Sequence, residues 1–114
     1  MYEAIFYQTP RGDYPVLDFI NTLDKKPRAK VYRYIELLEK EGPNLLRPYA
    51  DHVRGKVREL RVRFSSTNVR IFYFFFLREK IVLLHAFKKK TQELPVGEIE
   101  EAERNMLDWI KRKS

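Results

Sequence analysis

The side chains best suited to chemistry lie on three consecutive segments that are otherwise rich in apolar residues. In the first segment, VRELRVRF, the charged residues Glu59, Arg61 and Arg63 alternate with apolar ones, which on a β-strand places all three on one face. Arg70 interrupts the second segment, VRIFYFFFL, and His85 interrupts the third, IVLLHAF. A polar residue in an apolar strand needs a partner or a function, because burying it unpaired costs free energy. If the segments pair as antiparallel strands, these side chains come within reach of one another.

Cations and an acid on one sheet suit the cleavage of RNA by its own 2′-hydroxyl group. A base removes the 2′ proton, the oxygen attacks the adjacent phosphate, and an acid protonates the leaving 5′-oxygen. Glu59 could be the base, and His85 could be base or acid because histidine titrates near neutral pH. We assign the stabilisation of the phosphate charge to Arg61, Arg70 and one of the lysines that follow the third segment, Lys88. Further phosphate contacts are assigned to Arg58, Arg63, Lys89 and Lys90.

Each of these assignments has a structural alternative. Glu59 could simply pair with Arg61 or Arg70, and a histidine on a strand is often a satisfied core residue. The three lysines could be a solvated strand end. Residue types alone leave these alternatives open.

The charge distribution favours a polyanionic partner. The formal net charge is +7, and residues 47–90 hold 12 of the 23 lysines and arginines but 3 of the 16 acidic residues. A field of one sign attracts nucleic acid, although a basic surface also serves solubility.

Composition and motifs exclude several other classes of protein. The absence of cysteine excludes a disulfide scaffold, a thiol nucleophile and cysteine-bound zinc, and it suits a reducing cytoplasm. The sequence contains neither GxxxxGK nor GxGxxG, and its two histidines lack HxxxH spacing, so we expect no cofactor and no metal. The first residues lack the apolar core of a signal peptide, and the apolar run IFYFFFL is too short to span a bilayer, so we expect no membrane association.

Periodicity and turn signals predict one α+β domain over residues 1–114. Its order is β-α-α-β-β-β-α, with the helices packed on one face of a mostly antiparallel sheet. The predicted strands are 2–8, 57–64, 69–77 and 81–87. The first two helices begin near Asp13 and Asp24, the second ends at Gly42-Pro43, and the third follows Pro95. Residues 43–55, with two prolines and a glycine, are predicted to be a loop.

The segments VRELRVRF, NVRIFYFFF and IVLLHAFKKKTQELPVGEIEEAERNMLDW resemble the RelE/ParE superfamily of bacterial toxins, in particular its HigB-like, phage Gp49-like branch. By motif, Arg70 matches the arginine of the family's YR-hydrophobic-x-Y strand and Arg61 that of its LR pair. Lys88, Lys89 and Lys90 match the basic residues after the last core strand. At Glu59 several ribosome-dependent relatives carry lysine, and others use a glutamate in that vicinity. This chain lacks the tyrosine or histidine that some relatives carry near the C-terminus. The identity of the general acid and base therefore stays open.

The resemblance implies a RelE-like fold and a toxin of a type II toxin–antitoxin system. The implied activity is that of a metal-independent, ribosome-dependent endoribonuclease that cuts mRNA in the ribosomal A site. The implied partners are mRNA, the ribosome and a cognate antitoxin, often a helix-turn-helix protein of the HigA type. Two alternatives remain, a ParE-like poison of DNA gyrase that cleaves no RNA and an inactive relic that only binds its antitoxin. The charged residues on the sheet favour the nuclease.

Overall fold

Five strands and three α-helices make up the fold, described here for residues 1–113 of a computed structural model. They are β1 (Glu3–Phe6), α1 (Pro15–Asn21), α2 (Lys25–Glu41), β2 (Ala50–Arg54), β3 (Val57–Phe64), β4 (Thr67–Phe76), β5 (Lys80–Lys88) and α3 (Val96–Lys113). A short 3₁₀ turn follows α2. Within residues 1–113, no helix combines the length and the apolar character needed to cross a membrane.

The strands form one sheet in the order β1-β5-β4-β3-β2. From β2 to β5 each strand is antiparallel to the next, as short turns between consecutive strands require. At the other side of the sheet, β1 pairs in parallel with β5, with Glu3 opposite Lys80. The predicted α+β class and mostly antiparallel sheet are therefore confirmed.

The segment predicted as a loop contains one further strand, β2, so the order is β-α-α-β-β-β-β-α. Pro48 precedes β2 and does not interrupt its ladder, and proline is tolerated beside an edge strand. Gly55, with φ of 56°, starts the two-residue turn that leads into β3. The prolines and the glycine thus flank a short edge strand and do not exclude one.

The helices pack on both faces of the sheet, so the prediction that they share one face is wrong. Ile71 and Tyr73 of β4 pack with the apolar side chains of α1 and α2. Their neighbours Phe72 and Phe74 point the other way and pack with α3. Because β4 is buried on both faces, it reads as a continuous apolar run without alternation.

The position of α3 leaves part of its face of the sheet open. Asn105 donates a hydrogen bond of 2.9 Å to the carbonyl oxygen of Leu84 in β5. Further along the helix, the hydroxyl of Tyr7, just beyond β1, donates a hydrogen bond of 2.6 Å to Asp108. The helix therefore lies over β5 and towards β1, and the end of β3 and the start of β4 are not covered.

Helix α2 crosses the opposite face from the end of β3 to the start of β1. Near its N-terminus, Lys30 Nζ donates a hydrogen bond to the carbonyl oxygen of Arg63. Near its C-terminus, Glu39 accepts hydrogen bonds of 2.9 Å from the backbone amides of Tyr2 and Ala4. These contacts fix both ends of the helix on the sheet.

The charges of α2 run against its macrodipole. Its first half carries five cations and no acid, and its last six residues contain the acids; the cations are Lys25, Lys26, Arg28, Lys30 and Arg33. A charge of the wrong sign in the first turn costs about 0.3–1 kcal/mol. In α3 the order is the favourable one, with Glu98 in the first turn and three cations in the last.

Candidate nucleic-acid interface

The uncovered part of the sheet holds a cleft lined by cations. Its volume is about 210 Å³, and its lining residues are Pro48, Arg61, Arg63, Asn68 and Arg70. The antiparallel register brings them together, because Arg61 lies opposite Arg70 and Arg63 lies opposite Asn68. The backbone amide of Arg61 donates a hydrogen bond of 2.7 Å to Tyr49, which holds the Pro48 segment against the cleft.

Arg70 and Glu59 form a buried ion pair beneath the cleft. The Arg70 Nε and Glu59 Oε1 atoms are 3.1 Å apart, and the two residues are only 7% and 4% exposed. Neither atom has a hydrogen-bond partner of acceptable geometry, so the two groups are close but poorly aligned. Burial raises the pKa of Glu59, and this effect exceeds the opposing attraction of Arg70 and Arg61. Burial also lowers the pKa of Arg70.

A second carboxylate on this face, that of Asp51, is not among the residues predicted for the site. It lies on β2 directly opposite Glu59, and its Oδ2 atom accepts a hydrogen bond of 2.7 Å from Arg47 Nε. The hydrogen bond from Arg47 lowers the pKa of Asp51, with smaller contributions from the backbone amide of His52 and the charge of Arg61. The Asp51 side chain is 35% exposed, whereas that of Glu59 is 6% exposed.

Asp51 was missed because its strand was predicted as a loop. The two-residue Gly55-Lys56 turn before β3 is the signal that could have revealed the hairpin. Asn68 was missed for a related reason, since it lies within β4 but falls between the predicted strands 57–64 and 69–77.

His85 lies beside α3 and does not line the cleft. A bulge in β5 leaves Leu84 without a partner, since Phe72 lies opposite His85 and the next residue of β4 lies opposite Leu83. The histidine therefore points towards α3, where its Nε2 atom is 2.6 Å from Glu98 Oε1. Its ring also stacks on Phe87 at a centroid distance of 5.9 Å. This environment matches the alternative of a satisfied histidine at the edge of the core.

Two of the predicted site residues lie on the other face of the sheet. Lys88 lies opposite Val69, and Arg58 lies opposite Tyr73. Val69 and Tyr73 both belong to the core beneath α1 and α2. Because directly opposite residues share a face, the side chains of Lys88 and Arg58 are on that face and not in the cleft.

The other two lysines follow the end of β5. The backbone amide of Lys89 donates a hydrogen bond of 2.7 Å to Asn68, so this lysine lies next to the cleft. Its ammonium group donates hydrogen bonds to the carbonyl oxygens of Thr91, at 2.5 Å, and Gln92, at 2.9 Å. Lys90 is exposed. Lys89 therefore orders the loop beside the cleft, and Lys90 is available to solvent.

The described residues include no group of three or more histidine, cysteine, aspartate or glutamate side chains placed to hold a metal ion. What the site offers is a set of guanidinium groups around a cleft, with two carboxylates at its base and edge. Such an arrangement is chemically suited to phosphate, because arginine presents a planar set of donors that matches phosphate oxygens.

Comparison with known proteins places the chain in a family. The family model described as phage derived protein Gp49-like (DUF891) matches residues 18–107, which is more than half of the chain. No curated protein matches the chain. The family is a branch of the RelE superfamily, whose toxins are often endoribonucleases and act in systems that include an antitoxin. The chain therefore belongs to the Gp49-like family, in the HigB-like branch of the RelE toxin superfamily.

Proposed function

We propose that this protein is an endoribonuclease toxin that cuts mRNA on the ribosome and is neutralised by a cognate antitoxin. The observation that carries the proposal is the convergence of Arg61, Arg63 and Arg70 on one cleft. Arg70 is paired with Glu59, but Arg61 and Arg63 have no acidic partner within residues 1–113, so their like charges repel each other unless an anion binds in the cleft. The phosphate backbone of RNA is the anion that best fits a cleft of this kind.

In this proposal, Arg61 and Arg70 hold the phosphate at which the chain is cut. They lie opposite each other on adjacent strands, so one phosphate can contact both guanidinium groups. As the 2′-oxygen attacks, charge grows on the phosphate oxygens, and donors already in place stabilise that charge. The bond to the 5′-oxygen breaks, which leaves a 2′,3′-cyclic phosphate and a 5′-hydroxyl group that takes its proton from water. Glu59 positions Arg70 from below.

We assign the proton acceptor to Glu59. Its raised pKa suits a base that works near neutral pH better than the lowered pKa of Asp51 does. When Arg70 turns to a bound phosphate, Glu59 loses its closest cation and is uncovered. The phosphate then replaces Glu59 as the anionic partner of Arg70, which offsets part of the cost of separating the buried pair.

The ribosome would supply the remaining requirement, which is the alignment of the 2′-hydroxyl with the phosphate. Holding reacting groups in line contributes about 7–11 kcal/mol in favourable cases. An open cleft of about 210 Å³ contacts only a short part of an RNA strand, so we assign this alignment to the ribosomal A site. Efficient cleavage of naked RNA by the purified protein would contradict this part of the proposal.

The test is primer extension on a defined transcript in a cell-free translation system. Wild-type protein should cut at codon positions only during translation, and Arg61→Ala should lower the cutting rate about 100-fold or more. Arg70→Ala should do the same, but it leaves Glu59 buried without a partner, so its fold is checked by circular dichroism. Arg78→Ala removes an exposed arginine from the β4–β5 turn and should cut as the wild type does.

Full cutting by Arg61→Ala would place the site elsewhere. An uncut transcript with wild-type protein would refute the nuclease proposal. Gyrase-dependent DNA breaks in that case would favour the gyrase poison, and their absence would favour an antitoxin-binding relic.

A further inference from the structure

A second group of cations lies on the face of the sheet opposite to the cleft. We call it the α2 patch, and it consists of Lys25, Lys26, Arg28, Lys30 and Arg33. Lys26, Lys30 and Arg33 are spaced four and three residues apart, so they form a row along one side of the helix. At a rise of 1.5 Å per residue, this row is about 10 Å long.

The α2 patch is connected to the cleft around the end of the sheet. Lys30 donates its hydrogen bond to the backbone of Arg63, whose side chain lines the cleft. Lys88, at the same end of the sheet, is exposed on the α2 side. Cations therefore continue from one face to the other, while the two surfaces point in different directions.

The fold itself does not account for these charges. Lys25, Lys26 and Arg33 are exposed, and none of them forms an ion pair within residues 1–113. The charges of Lys25 and Lys26, in the first turn, also oppose the dipole of the helix that carries them. Three exposed cations without an acidic partner in residues 1–113, two of which destabilise their own helix, point to an anion outside the protein.

We infer that the α2 patch binds the phosphate backbone of a folded RNA, separate from the strand that enters the cleft. This inference rests on the proposed function for the identity of the second strand. RNA is favoured over an acidic protein because the centres of protein interfaces are depleted of lysine, whereas phosphate contacts are made chiefly by lysine and arginine. A single strand lying in the cleft cannot also cover α2, because the sheet lies between the two surfaces.

The first test measures binding to a labelled 20-base-pair RNA duplex over a range of salt concentrations. The variant Lys25→Ala/Lys26→Ala/Arg33→Ala removes three exposed charges and keeps residues that favour a helix. Each lost phosphate contact should reduce the slope of log affinity against log salt by about one, so we expect a reduction of roughly two to three. Affinity at low salt should fall at least about tenfold.

The matched control is Lys40→Ala/Lys56→Ala/Arg78→Ala. It removes the same net charge from exposed positions outside the α2 patch and the cleft. We expect its affinity to stay within about twofold of wild type. An equal loss in both triple variants would show a general charge effect and overturn the inference. If the α2 variant, Lys25→Ala/Lys26→Ala/Arg33→Ala, binds the duplex with the affinity of wild type, the inference is also overturned and the patch is assigned to an acidic protein.

The second test separates this inference from the proposed function. In the translation system, the α2 variant should need at least tenfold more ribosomes for half-maximal cutting, with the same cut positions and the same maximal rate. A lower maximal rate at saturation would contradict a purely binding role. If the wild type cuts nothing, the proposed function fails, while the duplex measurement still decides whether the α2 patch binds RNA.

Discussion

Reversing the charge of the first turn of α2 should make the protein more stable. Lys25 and Lys26 are the first two residues of the helix, and the first turn has no acidic residue. Each cation there costs about 0.3–1 kcal/mol, and an acid in its place gains a similar amount. Replacing both by glutamate therefore spans roughly 1–4 kcal/mol, and because both are exposed we expect the lower part, about 1–2 kcal/mol. For a chain of this size, that corresponds to a rise in Tm of about 4–8 °C.

The assay is thermal unfolding followed by circular dichroism at low ionic strength. The gain of Lys25→Glu/Lys26→Glu should shrink in 1 M salt, where the Debye length falls to about 3 Å. Lys40→Glu is the control in the same helix, since Lys40 is the cation of its last turn and should be stabilising there. Its replacement should lower Tm. A double variant that is no more stable than wild type at low salt would refute the argument that α2 is charged against its dipole.

Three further predictions concern single residues. Leu77 has φ of 52° and is 77% exposed, so Leu77→Gly should raise the free energy of unfolding in urea by about 0.5–1 kcal/mol, and a loss would show that its conformation is not strained. Burial and the hydrogen bond to Asp108 raise the pKa of Tyr7 from 10.0 to about 12, so its stabilisation is complete below pH 10 and disappears as the pH rises through 12. The stability gap between wild type and Tyr7→Phe should therefore close over that interval, and a constant gap would contradict the assignment. Burial raises the pKa of Glu59 above its ordinary 4.5, so its contribution is complete below pH 4.5 and is lost as the pH rises through the native value. When the pH is lowered from 7 to 4, the free energy of unfolding of wild type in urea should therefore rise relative to that of Glu59→Gln. A relative fall would mean that the attraction of Arg70 outweighs burial.

The parts of the fold that followed from the sequence are those set by local signals. Helix α2 begins after Asp24 and ends before Gly42, as the predicted start and stop residues indicated. The turn at Ser65, whose φ is 56°, joins β3 to β4 and sets their register. That register places Arg61 opposite Arg70, so the centre of the cleft was within reach of sequence reasoning.

The parts that did not follow depend on packing between distant segments. The sequence of β4 shows that both of its faces are buried, but not which helix covers which face. The bulge in β5 inserts one residue, and it places His85 on the side of α3. A single extra residue of this kind leaves no mark on the hydrophobic pattern. The facing of Arg58, by contrast, follows from simple alternation with Glu59 on β3, whereas that of Lys88 depends on the bulge in β5.

The parallel pairing of β1 with β5 has a consequence for the order of assembly. Glu3 and Lys80 are 77 positions apart, so joining their strands closes a loop with an entropy cost of about 4 kcal/mol. The hairpins from β2 to β5 close through turns of a few residues and cost far less. During synthesis, we therefore expect the strand that leaves the ribosome first to be the last to enter the sheet. The arginine cleft, built on local hairpins, would form before the N-terminus has found its place.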